Sequence, residues 1–232
     1  MLRLFVTPPL APSVLIEATE NQAHYLGTVM RRSPGDDIHL FNGHDGEWSA
    51  RIETLGRGKG LFRVDRLLRP QAGDTDVWLA FALLKRDTTD LVVQKATELG
   101  VAALLPVVTE RTNAARVNED RLRAIAVEAA EQSERMTVPM IQPPRKLADV
   151  LTFWPADRPL FAALERTDAP PIHPVPGPCG LLIGPEGGFG PRDYALLERA
   201  PTLRPVGLGP RILRAETAAI AGLALLQATG WR

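Results

Sequence analysis

Two short stretches near the C-terminal end hold residue types whose spacing can do chemistry. LLIGPEGGFG (Leu181–Gly190) carries Gly184, Pro185, Glu186, Gly187 and Gly188 after an apolar run. LGPRILRAET (Leu208–Thr217) carries Gly209, Arg211, Ile212, Leu213, Arg214 and Glu216. A glycine loop that follows a strand commonly cradles phosphate through its backbone N–H groups. Here a P-loop is excluded, because no Lys-Ser or Lys-Thr follows the glycines, and GPEGGFG lacks the G-x-G-x-x-G spacing of a dinucleotide loop. Glu186 would also repel a pyrophosphate. Backbone N–H and C=O groups without cationic side chains suit adenine and ribose, and a carboxylate nearby tolerates a sulfonium cation. S-adenosylmethionine fits that description. A glycine turn that merely joins strand to helix is the alternative for the first loop alone. The second loop weighs against it, because arginines ahead of a helix N-terminus oppose the macrodipole and need another reason to be there.

Such loops need strands to aim them. From VWLAFALL onward the sequence alternates apolar strand candidates with amphipathic helices. The helices are TTDLVVQKATELG, closed by Gly100, NEDRLRAIAVEAAEQSER, capped by Asn118, KLADVLTFW, PRDYALLERA, opened by Pro191, and ETAAIAGLALLQATG. The strands between them are AALLPVV, the weak VPMIQP, PLFAAL, GLLIG and RPVGLG. This predicts an α/β fold, a parallel sheet with helices on both faces and its ligand at the carboxyl ends of the strands. One helix separates the two loops, so their strands are expected as near neighbours. Ahead of PQAGD (Pro70–Asp74) the texture differs. Short strands, one helix at ENQAHYLGTVM and an Asn-Gly/Asp-Gly hairpin signal in DDIHLFNGHDGEWSARIETLG predict a small β-barrel. The expected domains are 1–72 and 73–232.

The totals narrow the class. The 232 residues carry 27 basic and 27 acidic side chains, so no overall basic footprint argues for nucleic acid, although a local patch remains open. Cys179 is the only cysteine, the longest apolar run is short of a membrane span, and the N-terminus is too proline-interrupted for a signal peptide. A cytoplasmic protein is expected. His24, His39, His44 and His173 show no metal-ligand spacing, so no metal is expected.

LLIGPEGG together with LGPRILRAET resembles the signature of the RsmE family, the 16S ribosomal RNA uridine-N3 methyltransferases of the SPOUT superfamily. QKATELGV (Gln94–Val101), ERT (Glu110–Thr112), AAEQSER (Ala129–Arg135) and HYLGTVMRRSPGDDIHLFNG match as well, so the resemblance covers nearly the whole chain. It implies a knotted C-terminal domain with a deep trefoil, a PUA-like RNA-binding N-terminal barrel, a homodimer, and 16S rRNA in the 30S subunit as the substrate. It implies a cofactor cradle of Leu164, Gly184, Pro185, Glu186, Gly187, Gly188, Leu208, Gly209, Ile212 and Leu213 around S-adenosylmethionine. One departure is Ala215, where the family pattern has a small hydroxyl residue; this weakens any claim for a catalytic hydroxyl there.

Uracil N3 is a poor nucleophile until its imide proton leaves. The expected catalytic residues are therefore Arg214, to stabilise charge on a carbonyl oxygen, and Glu216, to orient Arg214 or accept the proton. An Arg214–Glu216 ion pair that only pins the loop is the alternative. Glu186 has three roles open to it: facing the cofactor, capping the next helix, or reaching a partner subunit. Arg3, Arg31 and Arg32 are the expected RNA contacts, with RGKGLFRVDRLLR (57–69) as an added basic strand or merely a solvated one. Glu98 and Glu131, on helices, are read as solvated or paired, with a dimer interface as the other explanation. The rival functions are a SPOUT methyltransferase acting on a ribose 2′-oxygen or on tRNA, and a non-catalytic RNA-binding assembly factor.

Overall fold

A computed structural model describes residues 1–73, 75–112, 117–165 and 168–228. Asp74, at the expected change of texture, and Thr229 and Gly230, at the end of the last expected helix, lie outside them. The chain forms two compact units: Met1–Gly73 with Ala130–Val138, and Asp74–Ala129 with Pro139–Arg232.

The first unit contains β1 (Arg3–Phe5), β2 (Leu15–Glu17), α1 (Glu20–His24), β3 (Asp37–Phe41), β4 (Glu47–Gly56) and β5 (Lys59–Arg69). α1 opens on a capping box from Thr19 to Gln22 and runs into a π-helical turn over Tyr25–Val29. The five strands form one mixed sheet in the order β1-β3-β4-β5-β2, with β1 parallel to β3 and the other pairs antiparallel. Period-2 alternation turns Leu4, Ile16, Ile38, Leu40, Ala50, Ile52, Phe62 and Val64 from all five strands into one core. Among the described residues β1 and β2 are the unpaired edges of the sheet, so its ladder does not close into the expected barrel.

A charged knot of side chains lies in the same unit. Arg3 and Glu47 are both buried and meet at 2.7 Å, and Arg69 also pairs with Glu47. The remaining Arg3 donors go to the carbonyls of Ala130 (2.9 Å), Glu131 (3.1 Å) and Arg135 (3.0 Å). The Phe5 N–H donates to Glu131 Oε1 at 2.9 Å. Segment 130–138 is thus tied into the first unit, a return of the chain that its helical pattern gives no hint of.

The second unit contains β6 (Val77–Ala82), α2 (Arg86–Glu98), β7 (Ala103–Val108), α3 (Glu119–Gln132, whose last turn joins the first unit), β8 (Met140–Ile141), β9 (Arg145–Lys146), α4 (Leu147–Thr152), β10 (Leu160–Ala163), β11 (Cys179–Ile183), α5 (Pro191–Leu197), β12 (Leu203–Val206) and α6 (Ala215–Leu226). Local signals act where expected. Gly100 takes φ +82° just past the end of α2, and Asn118 Oδ1 accepts the Arg121 N–H at the start of α3. Pro191 opens α5. The strands are all parallel, in the order β12-β10-β11-β6-β7-β8, with β9 on β7.

Both faces of this sheet are covered. Ala80, Ala162 and Leu182 share one core with Leu147 and Val150 of α4 and Leu197 of α5. Leu181, pointing oppositely, meets α6 where Gly222 lets helix and strand approach closely. β11 and β12 are near neighbours, as expected, though not adjacent. β12 pairs with β10, which lies between them, because the α5 connection carries the chain past β10 before β12 joins the sheet.

Candidate active site

Register sets the site. Ala163 pairs with both Ile183 and Val206, and Ile183 pairs with Phe81, so β10, β11, β12 and β6 end nearly level. Being parallel, they release their following loops at one edge of the sheet, where an α/β fold holds its ligand. A cavity of about 890 Å³ opens there. Leu164, Gly184, Pro185, Glu186, Gly188, Leu208, Gly209, Ile212 and Leu213 line it, together with Arg214 and Glu216. Gly187 instead faces a smaller neighbouring cavity with Arg111 and Lys85. The interposed β10 places Leu164 between the two loops.

The glycine loop is shaped by tight contacts. The Gly188 N–H closes a turn on the Pro185 carbonyl at 2.8 Å, with Gly188 at φ +69°. A side chain at 184 would press on the Phe189 ring at 3.0 Å. The Arg111 guanidinium donates to the Gly187 carbonyl at 2.6 Å. The Gly190 N–H donates to the Asp193 carboxylate at 2.9 Å, at the start of α5.

Charge in the cavity is mixed: Glu165, Glu186 and Glu216 face Lys85, Arg211 and Arg214. Arg214 is exposed and is the N-cap of α6; its carbonyl accepts the Ala218 N–H at 2.8 Å. Its side chain forms no ion pair or hydrogen bond among the described residues, nor does that of half-buried Glu216. Two residues apart at a helix start, they do not face each other, so the pinning ion pair is absent. Glu186 is exposed, lines three cavities with Lys85, and caps nothing; the N–H groups at the start of α5 are taken by Asp193 and Glu110. Lys85, Glu165 and Tyr194 were missed by sequence reasoning. The strand-end rule could have found Lys85, which stands three residues after β6.

The other expectations fall out unevenly. Arg3 is no RNA contact: it is 6% exposed and spends its donors on Glu47 and three carbonyls. Arg31 is exposed at φ +53°, and the buried Nε of neighbouring Arg32 has no hydrogen-bond partner among the described residues. Within 57–69, Arg63 pairs with Glu53 and Arg69 with Glu47, leaving Arg57, Lys59 and Arg66 as exposed cations. Glu98 pairs with Lys95, and Glu131 takes the Phe5 N–H. Among the described residues no group of three His, Cys, Asp or Glu side chains has metal-binding geometry, and no helix is long and apolar enough to cross a membrane. Burial pushes the Cys179 thiol upward, which suits a packed core residue.

Fold and site together define a class, the RNA methyltransferases: residues 71–227 match the RNA methyltransferase domain family, and residues 18–65 match the RNA methyltransferase PUA domain. Ribosomal RNA small subunit methyltransferase E of Rickettsia conorii is 32% identical over 98% of this chain and 96% of its own length. The Synechocystis enzyme of the same name is 31% identical over 97% and 77%. The chain belongs to the ribosomal RNA small subunit methyltransferase E family. Among solved structures, that of the Neisseria gonorrhoeae enzyme bound to S-adenosyl methionine is similar with TM-score 0.88 and 28% identity, over 99% of this chain and 98% of that one. A Legionella pneumophila protein described as a methyltransferase, in complex with SAM, has TM-score 0.87 and 30% identity over 98% and 97%.

Proposed function

We propose that the chain transfers a methyl group from S-adenosylmethionine to N3 of one uridine of 16S rRNA within the small ribosomal subunit. The observation that carries this reading is the mouth of the 890 Å³ cavity, where Arg214, without an ion pair among the described residues, stands beside a glycine loop that presents backbone and carboxylates. The volume is in the range of small-molecule sites. Backbone groups of 184–188 and 208–209 suit adenosine, and Glu165 and Glu186 suit the ligand's sulfonium and ammonium charges. When bound, the cofactor supplies an activated methyl group.

The chain's residues do the rest. Arg214 offers a planar fork to a uracil carbonyl oxygen and stabilises the anion left when the N3 proton departs. Glu216, on the first turn of α6, accepts that proton directly or through water. Leu164, Ile212 and Leu213 exclude water from the ring. In the same reading residues 1–72, joined by the returning segment 130–138 that the expected boundary at 72/73 left in the other domain, form the RNA-binding domain, and the rest of 73–232 forms the catalytic domain with its trefoil knot. Ile212, 60% exposed, and Leu225, 42% exposed, are covered by a second copy of the chain in a cytoplasmic homodimer.

The deciding experiment maps methylated bases in 16S rRNA from a strain lacking the gene, complemented with wild type or Arg214→Ala. Wild type restores one N3-methyluridine. The variant is expected to lose about 100-fold or more in kcat while S-adenosylmethionine still binds by calorimetry. A modified ribose or a tRNA base in place of the uridine would reject the substrate, and no cofactor binding by wild type would reject the enzyme.

A further inference from the structure

The turn after β7 is built to hold something. The Thr109 N–H donates to Thr112 Oγ1 at 2.8 Å, and the two hydroxyls meet at 2.9 Å. This fixes the Glu110 and Arg111 between them, the heart of the ERT stretch. Glu110 then exchanges bonds with the start of α5. Its carboxylate accepts the Arg192 N–H at 3.0 Å, and its own N–H donates to the Asp193 carboxylate at 3.2 and 3.1 Å. Asp193 is 4% exposed and also takes the Gly190 N–H. Gly190 is glycine for a reason of space, since a side chain there would collide with the Glu110 carboxylate. Arg111 meanwhile holds the Gly187 carbonyl.

The turn therefore grips the glycine loop at its middle and at its end. Neither Glu110 nor Asp193 lines the 890 Å³ cavity. We propose that Glu110 and Asp193 are positioning residues that preset the path of Gly184–Gly190 for the methyl donor. A glycine-rich loop has more backbone freedom to lose than any other. Freezing it before binding removes that loss from the binding step, so the clasp acts on cofactor affinity and leaves the chemical step alone. The inference rests on the reading of this cavity as the S-adenosylmethionine site.

The test compares wild type, Glu110→Ala, Glu110→Gln and Asp193→Ala. S-adenosylmethionine Kd is read by calorimetry, kcat at saturation on small subunits, and exchange of the Gly187, Gly188 and Gly190 amides by hydrogen exchange. Expected are a Kd raised about tenfold in both alanine variants, faster exchange of those amides, and a kcat within about twofold of wild type. Glu110→Gln keeps an acceptor for the Arg192 N–H and restores most of the affinity. Wild-type Kd in a folded Glu110→Ala overturns the proposal, even if its melting temperature falls, because that is a stabilising role only. If Glu110→Ala does not fold, Gly190→Ala disturbs the same contact from the other side and is read the same way. If wild type itself binds no cofactor, the reading of the cavity fails. The clasp is then judged on exchange alone: faster Gly190 exchange in the variants supports it, and unchanged exchange overturns it.

Discussion

Glu47 lies where a lone carboxylate would not stay ionised. Burial by itself would raise its pKa; hydrogen bonds and charge from Arg3 and Arg69 outweigh that and hold it below the usual carboxylate value. A folded pKa below the unfolded one contributes stability that is full above the unfolded value, near 4.5, and is lost as pH falls through the folded value. Glu47→Gln should therefore destabilise at pH 7, and its gap to wild type should narrow as pH falls below the unfolded value of 4.5, measured by urea titration at pH 7 and over an acid series. Breaking the pair from the other side with Arg3→Met should cost about 3 kcal/mol, since a buried carboxylate loses one of its two cations. None of this was legible in sequence. Arg3 reads there as a free surface cation, and only the fold shows that its partners lie at positions 47 and 130–135. The catalytic candidates were more legible, because Arg214 stands at a helix start, where a cation opposes the macrodipole, and Glu216 follows two residues on.

At the scale of elements, period and punctuation carried most of the information. The helix signals at Asn118, Gly100 and Pro191 act within a few residues, the first two through hydrogen bonds and Pro191 through its fixed φ, so a reader of sequence sees all that they need. Strand order does not work that way. The placing of β10 between β11 and β12 depends on pairings between distant segments, and no local residue announces it. The two-residue strands β8 and β9 are similarly silent. Close packing leaves its own mark in β11, where Gly180 lies under the edge of Trp154. That indole is fixed by its bond to the Arg158 carbonyl at 2.8 Å and by an edge-on contact with Trp78 at 5.7 Å. The ring cannot swing aside, so Gly180→Ala should overpack this layer and cost about 1–3 kcal/mol. Denaturant midpoints of wild type and variant check it, with cofactor affinity as a control for the neighbouring loop.

At the scale of the molecule, zero net charge does not mean that every cation is paired. Ion pairs consume Arg3, Arg51, Arg63 and Arg69 in the first unit, while Arg31 and Arg32 have none among the described residues. If both meet phosphates, replacing them with alanine should flatten the slope of log K against log salt by roughly 1.4 to 1.8, the value for two phosphate contacts. Filter binding of a 16S fragment over a salt series measures it.

The return of residues 130–138 to the first unit has a consequence in time. A ribosome makes residues 1–73 before residues 130–138, yet the N-terminal fold lacks the carbonyls that receive Arg3 until Val138 has cleared the exit tunnel. The early-made strands must wait, incomplete, while much of the second unit's sequence is synthesised. Nascent chains stalled before that point should be cut by protease within residues 1–73, and chains stalled beyond it should resist.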